Sequence, residues 1–281
     1  MKKNDIIGKH IPVLDKGFVR VVDLMGDDAA VVQAARVSYG DGTKKVSDDL
    51  GLINYLMRHS HSTPFEMAVI KLHVKCPMFV ARQWMRHRTA SVNEVSARYS
   101  YISDDFYIPK KSRVKLQSAT NKQKSGTQKL DPDLSDQFVR DIESSASWAK
   151  KKYKIWAEDN NVARELVRID MPMNLYTEFY WKIDVHNLMH FLRLRMHDTA
   201  QEEIQAYAKI IYDKILKEWM PLTWCAFRAY KVNSMQLTEY DIASIRGLLS
   251  GKDIGHFPTS RERSEFKEKM IKLGLVKEEQ A

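Results

Sequence analysis

The sequence predicts an α+β fold, a mixed or antiparallel sheet packed with helices and passing into a helix-rich C-terminal third. Two patterns carry this. Ile70, Leu72, Val74 and Cys76 alternate with Lys71, His73 and Lys75, the period of a strand with one buried face. Ile204, Tyr207, Ala208, Ile211, Ile215 and Trp219 recur instead at helical spacing, as on an amphipathic helix.

Taken in order, residues 18–24 read as a strand rich in valine, ended by Gly26 and Asp27-Asp28, which can cap a helix over 29–37. A second helix is expected from Ser47, with Leu50, Ile53, Leu56 and Met57 on one face. The strand at 70–76 runs into Pro77, whose missing N–H suits the first turn of a helix. That predicts a helix over 78–88, with Phe79, Val80 and Trp84 inward and Arg82 and Arg86 sharing a face. Lys110, Lys111, Arg113, Lys115, Lys122, Lys124 and Lys129 then appear with no acid among them, so residues 110–130 read as a mobile basic loop. Thr199 and Glu202 match a capping box at the head of the next helix. Residues 1–233 read as one domain and 234–281 as a charged helical extension, with no internal repeat.

Composition narrows the class. The chain is 44% hydrophobic and 29% charged, which excludes disorder over most of its 281 residues. No apolar run approaches the roughly 18–20 residues a bilayer-spanning helix needs. The opening residues show no secretory h-region, and Cys76 and Cys225 cannot build a disulfide framework, so a soluble, cytoplasmic protein is expected. Both cysteines read as small hydrophobes. Lysine and arginine exceed aspartate and glutamate by 45 − 36 = 9. That balance suits an anionic partner, whether nucleic acid, nucleotide or phosphorylated cofactor, and is equally open to a plain solubilising role.

Two segments carry chemistry. Residues 83–100 collect Arg86, Arg88 and Arg98 with His87, Glu94 and several hydroxyls and amides. Guanidinium forks match phosphate and carboxylate oxygens, while Glu or Ser can bond a base edge or a sugar hydroxyl. The competing reading is a polar helix end with Ser91 and Glu94 as a capping box. In residues 184–195, His186 and His190 stand four apart and share a helical face. Such a pair can bind zinc, but Asn187 stands where the metalloprotease pattern has glutamate, and no metal site is expected. Arg195, beside Leu192 and Leu194, is an odd place for a charge unless something anionic or polar meets it. Neither a Walker A sequence, a G-x-G-x-x-G loop nor a nucleophile elbow is present.

Arg86-His87-Arg88, followed by Ser91, Asn93-Glu94, Ser96 and Arg98, reproduces the RHRxxSxNExSxR string and resembles the flavin-dependent thymidylate synthases. The blocks 34–38, 61–66, 79–84 and 174–195 are similar to that family too, so the likeness runs over about 18–230. The resemblance implies reductive methylation of dUMP to dTMP, with methylenetetrahydrofolate as one-carbon donor, FAD as hydride carrier and NADPH as reductant. It implies no cysteine nucleophile, and a homotetramer whose active sites are shared between subunits. Carried over position by position, it implies dUMP contacts from Gln83, Arg86, Glu94, Ser96, Arg98, Arg168 and Arg195, with Arg195 the catalytic charge at the pyrimidine. It implies FAD contacts from Ser38, His61, Thr63, Arg86, His87, Arg88, Glu94, Asp184, His186 and His190. At the last three positions some relatives carry Asn, Arg and Asn. Two rival classes remain open at this point: a basic nucleic-acid-binding module using residues 110–129, and a histidine-metal hydrolase.

Overall fold

The computed structural model describes residues 6–37, 49–101, 103–119 and 122–276. Its centre is the strand predicted from the Ile70–Cys76 alternation. β1 (His10–Val13), β2 (Gly17–Met25), β3 (Val69–Pro77), β7 (Tyr176–Asp184) and β4 (Ser91–Glu94) form one antiparallel sheet in the order β1-β2-β3-β7-β4. β1 carries no periodic signal in its four residues, and pairing with β2 defines it. Val19, Val21, Ile70, Leu72, Val74, Phe179, Trp181 and Ile183 face the core. His73, Glu178, Tyr180 and Lys182 occupy the opposite face, as a period of two requires.

Helices cover the apolar face. α1 (Asp28–Val37), α2 (Asp49–Arg58) and α3 (Thr63–Glu66) lie between β2 and β3 in sequence. Asp27, not Asp28, caps α1 by accepting from the Ala29 and Ala30 N–H groups. Asp28 reaches across to α10 (Pro221–Phe227), where it accepts from the Leu222 and Thr223 N–H groups and the Thr223 hydroxyl, all within 2.9 Å. The Ser47 start expected for α2 lies outside the described residues. α4 (Met78–Trp84) is shorter than predicted, and Pro77 stands at its N-cap in extended conformation. Beyond Met85 the chain leaves the helix because β4 pairs with the edge of β7, from Ser91 opposite Lys182 to Glu94 opposite Phe179. Ser91 and Glu94 are therefore strand residues and make no capping box.

Where a loop was expected, the described residues of 110–130 include a pair of strands and several ion pairs. β5 (Lys115–Gln117) and β6 (Ser125–Lys129) form a two-stranded hairpin. After it come α5 (Pro132–Tyr153), α6 (Arg164–Val167), α7 (Val185–Arg195) and α8 (Glu202–Ile210). The Arg113 Nε donates to Glu203 at 2.8 Å, Lys115 Nζ to Glu202 at 2.6 Å, and Lys111 lies 2.6 Å from Asp136. These carboxylates come from distant sequence, so the local run of cations concealed their partners. The apolar stripe from Ile204 to Trp219 is buried, continuing from α8 through a π-helical stretch (Ile211–Leu216) into α9 (Lys217–Trp219). Gln201, not Thr199, stands at the α8 N-cap, because the Thr199 hydroxyl is engaged with His197 Nδ1 at 2.8 Å. Cys76 is fully buried, whereas Cys225 is exposed on α10, against the small-hydrophobe reading of both. Among the described residues no helix is long and apolar enough to cross a membrane.

The chain forms two compact units, one ending at Phe227 and the other beginning at Arg228. In the second unit, α11 (Glu239–Leu249) and α12 (Ser260–Lys272) enclose Phe257, Phe266 and Met270. The buried Asp241 closes a capping box with Thr238 and accepts from Lys269 Nζ at 2.6 Å.

Glu203 is 4% exposed and takes hydrogen bonds from Arg113 and from the Tyr107 hydroxyl. Arg113→Met strips the buried carboxylate of its counter-charge, and denaturant unfolding should show a loss of about 3 kcal/mol. A loss below about 0.5 kcal/mol would mean that the hairpin is held by something else.

Candidate active site

α4 and α7 converge through an aromatic core. Trp84 packs on Phe179, Trp181, Phe191 and Tyr207, with ring centroids between 4.7 and 5.9 Å apart. This fixes the residues on either side of Trp84 against the end of α7. Arg195, the last residue of α7, is half-buried and donates through Nε to His87 Nε2 and through Nη2 to the Gln83 carbonyl, each at 3.0 Å. Two neutral acceptors hold this guanidinium, and no carboxylate among the described residues is paired with it. Burial and then the Arg86 charge lower its pKa from the usual arginine value.

For His87 to accept from arginine its ring must be neutral at Nε2. Burial, followed by the charges of Arg195 and His190, pushes its pKa down to about 4, so the ring is neutral at physiological pH. Its edge meets Phe191 at 4.9 Å and His190 at 5.9 Å. Arg82, Arg86, Arg88 and Arg193 are exposed beside this cluster and pair with no acid among the described residues. An unpaired group of guanidinium ions is a standing invitation to an anion.

A second set of predicted residues gathers elsewhere. Glu94, Ser96 and Arg168 line a cleft of about 790 Å³ with Met78, Thr177 and Tyr180. The Thr177 hydroxyl donates to Glu94 at 2.6 Å, while Arg98 lies 3.4 Å from Glu165. Met78 opens α4 and Gln83 lies near its other end, so the cleft and the Arg195 cluster flank a seven-residue helix about 10 Å long. His61 and Thr63 sit exposed at the head of α3, which packs against α7. His186 is half-buried and His190 exposed, and neither has a hydrogen-bond partner among the described residues. Asp184 is the N-cap of α7, its two oxygens accepting from the Asn187 N–H and Nδ2 at 2.8 Å. Ser38 lies outside the described residues. Sequence reasoning missed Gln201, whose Oε1 accepts from Gln83 Nε2 at 2.6 Å, and His73, which lines the cleft. Neither belongs to a local motif, and only the fold brings them in.

A cationic motif that leads into the edge strand of the sheet, joined through His87 to a helix ending in an arginine with no acidic partner among the described residues, defines an enzyme site for an anionic, hydrogen-bonding ligand. Residues 20–222 match the family model described as "Thymidylate synthase complementing protein". The flavin-dependent thymidylate synthase of Gluconobacter oxydans is 51% identical over 258 residues, covering 91% of this chain and 84% of its own. That of Rickettsia bellii is 46% identical over 275 residues, covering 94% and 93%. A crystal structure of the UMP/dUMP methylase PolB from Streptomyces cacaoi, bound with 5-Br UMP, superposes with a TM-score of 0.70 at 33% identity. It covers 80% of this chain and 99% of its own. The chain belongs to the flavin-dependent thymidylate synthase family.

The His87 geometry has a pH consequence. Its folded pKa of about 4 lies below the ordinary 6.5, so between those values the unfolded chain binds a proton that the folded chain does not. The stability this residue contributes is present above about pH 6.5 and is lost as pH falls towards 4. Denaturant unfolding at pH 7, 6 and 5 should show wild type losing its margin over His87→Gln as pH falls. A margin constant across that range would mean that His87 is not held neutral.

Proposed function

We propose that this enzyme methylates dUMP to dTMP, taking the one-carbon unit from methylenetetrahydrofolate, with FAD as hydride carrier and NADPH as reductant. The observation that carries this reading is Arg195, a half-buried guanidinium held by His87 and Gln83 and with no carboxylate partner among the described residues. Uracil offers a carbonyl on each side of N3, and a fixed cation there stabilises the negative charge that develops when the N3 proton is lost. That charge spreads over O2, N3 and O4 and makes the ring more electron-rich, so that C5, the carbon that must attack the one-carbon unit, becomes a better nucleophile. Arginine keeps its proton at working pH, so Arg195 acts as an electrostatic group and not as a base.

The residues fit a flavin dinucleotide. Arg86, Arg88 and Arg193 supply unpaired cations suited to its phosphates, and His61, His186 and His190 supply exposed or half-buried ring nitrogens for its polar atoms. When bound, the reduced cofactor supplies the hydride that takes the transferred carbon to a methyl group. The protein's part is to bind, orient and polarise. Glu94, Ser96, Arg98 and Arg168 are assigned to the nucleotide's sugar and phosphate. The position of that cleft and the Arg195 cluster at opposite ends of α4 supports a homotetramer in which one copy's cleft completes the site of another.

No cysteine is assigned to the chemistry. Burial, then Glu94, pushes the Cys76 thiol well above its usual pKa, and neither cysteine lines the cleft that holds Glu94. The nucleic-acid-binding alternative loses its main support, because Lys111, Arg113, Lys115 and Lys124 of the hairpin region already pair with Asp136, Glu203, Glu202 and Asp198. Purified protein should be yellow, release FAD on heating, and form dTMP from dUMP when supplied with methylenetetrahydrofolate and NADPH. Colourless protein that FAD cannot reconstitute would contradict the proposal.

A further inference from the structure

Thr177 is a polar residue in an apolar row. On β7 it shares the core-facing row with Phe179, Trp181 and Ile183, is 7% exposed, and stands opposite Cys76 of β3. Valine would suit that strand position equally well, so the hydroxyl calls for a separate reason. It donates to Glu94 Oε1 at 2.6 Å. We propose that Thr177 is a positioning residue that holds one oxygen of the Glu94 carboxylate, so that the other meets the 3′-hydroxyl of the nucleotide sugar. The inference rests on the reading above, in which Glu94 serves the sugar and Arg195 the pyrimidine.

The register of the sheet makes this contact. β4 ends at Glu94, opposite Phe179, and Thr177 stands two residues along β7 on the same face. Diagonal neighbours of this kind lie close enough for side chains to meet. The backbone is fixed as well, because the Val95 N–H donates to the Glu178 carbonyl at 2.9 Å and carries the pairing past the end of β4. A hydroxyl bonded to an ionised carboxylate can only be the donor, so the polarity of the contact admits one reading. Glu94 itself is exposed, and an exposed glutamate ordinarily samples many rotamers. Thr177 removes that freedom before a ligand arrives.

Among the described residues two carboxylates line the cleft, and their surroundings differ. Glu178 is engaged by His73 Nε2 at 2.8 Å and lies 3.7 Å from Lys75 Nζ. Glu94 has no cation partner among the described residues, and its Oε2 has no hydrogen-bond partner among them. A carboxylate only accepts and it repels a phosphate, so what Glu94 meets on the ligand must be a donor. Arg168, in the same cleft, is the group suited to the phosphate. dUMP carries donors at N3 and at the 3′-hydroxyl. With the pyrimidine placed at Arg195, the hydroxyl is the donor left for Glu94.

The test uses flavin-loaded full-length protein and titration calorimetry with dUMP and with 2′,3′-dideoxyuridine 5′-monophosphate, which lacks the 3′-hydroxyl. Wild type should prefer dUMP by about tenfold or more, the effect of a hydrogen bond to a charged group. Thr177→Val keeps the β-branched shape without the donor and should cut that preference to about threefold or less, by weakening dUMP alone. Thr177→Ser keeps the donor and should hold the preference within about twofold of wild type. Thr177→Ala also lacks the donor and should behave as the valine variant does, which keeps the question answerable if valine does not fold. Folded, flavin-loaded valine or alanine variants with the wild-type preference would overturn the role of Thr177. Equal weakening of both nucleotides would overturn it too, as the mark of a merely structural residue, and so would a serine variant that fails as valine does. Wild type that binds both nucleotides equally would overturn the contact between Glu94 and the sugar, and the inference with it. Wild type that binds neither would instead overturn the functional reading itself.

Discussion

The site depends on one unusual arrangement: a guanidinium brought half out of water with no carboxylate among the described residues to neutralise it. Such a charge is costly unless hydrogen bonds and a ligand replace what water gave it. The chain supplies the hydrogen bonds through His87 and Gln83, both neutral as acceptors. Among the described residues it supplies no counter-charge, and nearby Arg86 makes the local field more positive still. A field of that sign, fixed before the ligand arrives, stabilises charge that develops on the ligand without reorganisation at the moment of reaction.

The rest of the fold explains why the geometry holds. Arg195 ends α7, which continues directly from β7, so the sheet fixes where the helix begins. Asp184 caps that junction through Asn187, a role that ties the start of α7 to the last residue of β7. At the other side Trp84 is locked among Phe179, Trp181, Phe191 and Tyr207, so Gln83 and His87 cannot drift from the helix end they serve. Aromatic rings in such a cluster contribute both buried area and directional contacts. The buried Glu203 extends the same logic to the hairpin, which is tied to α8 by charge and not by apolar packing.

What the sequence made legible was whatever is local and periodic. The β3 strand and the stripe from Ile204 to Trp219 follow from spacing, the α1 helix follows from the Gly26 break and the capping aspartates before it, and the cationic motif was conspicuous as a cluster. What it hid was decided by partners far along the chain. The lysines of residues 110–129 looked like an open loop because their carboxylates lie at Asp136, Asp198, Glu202 and Glu203. The helix expected to reach Arg88 stops at Trp84 because β7 offers an edge for β4 to pair with, an alternative no local propensity reveals. Thr199 looked like a cap until His197 claimed its hydroxyl, and the apolar neighbours of Cys225 gave no hint that its own side chain points to solvent. Gln201 was invisible for the same reason: it touches Gln83, 118 positions away.

The central claim is that the Arg195 charge is reserved for the pyrimidine. It is tested most directly by following, in one flavin-loaded preparation, both the bleaching of flavin absorbance by NADPH and the formation of dTMP. In Arg195→Ala the flavin should still bleach at close to the wild-type rate, while dTMP formation falls by about a hundredfold or more. Arg195→Lys, which keeps the charge but loses the planar fork, should remain badly impaired. Formation of dTMP by the alanine variant at the wild-type rate would contradict the account and leave Arg195 a helix-end cation that only offsets the helix dipole.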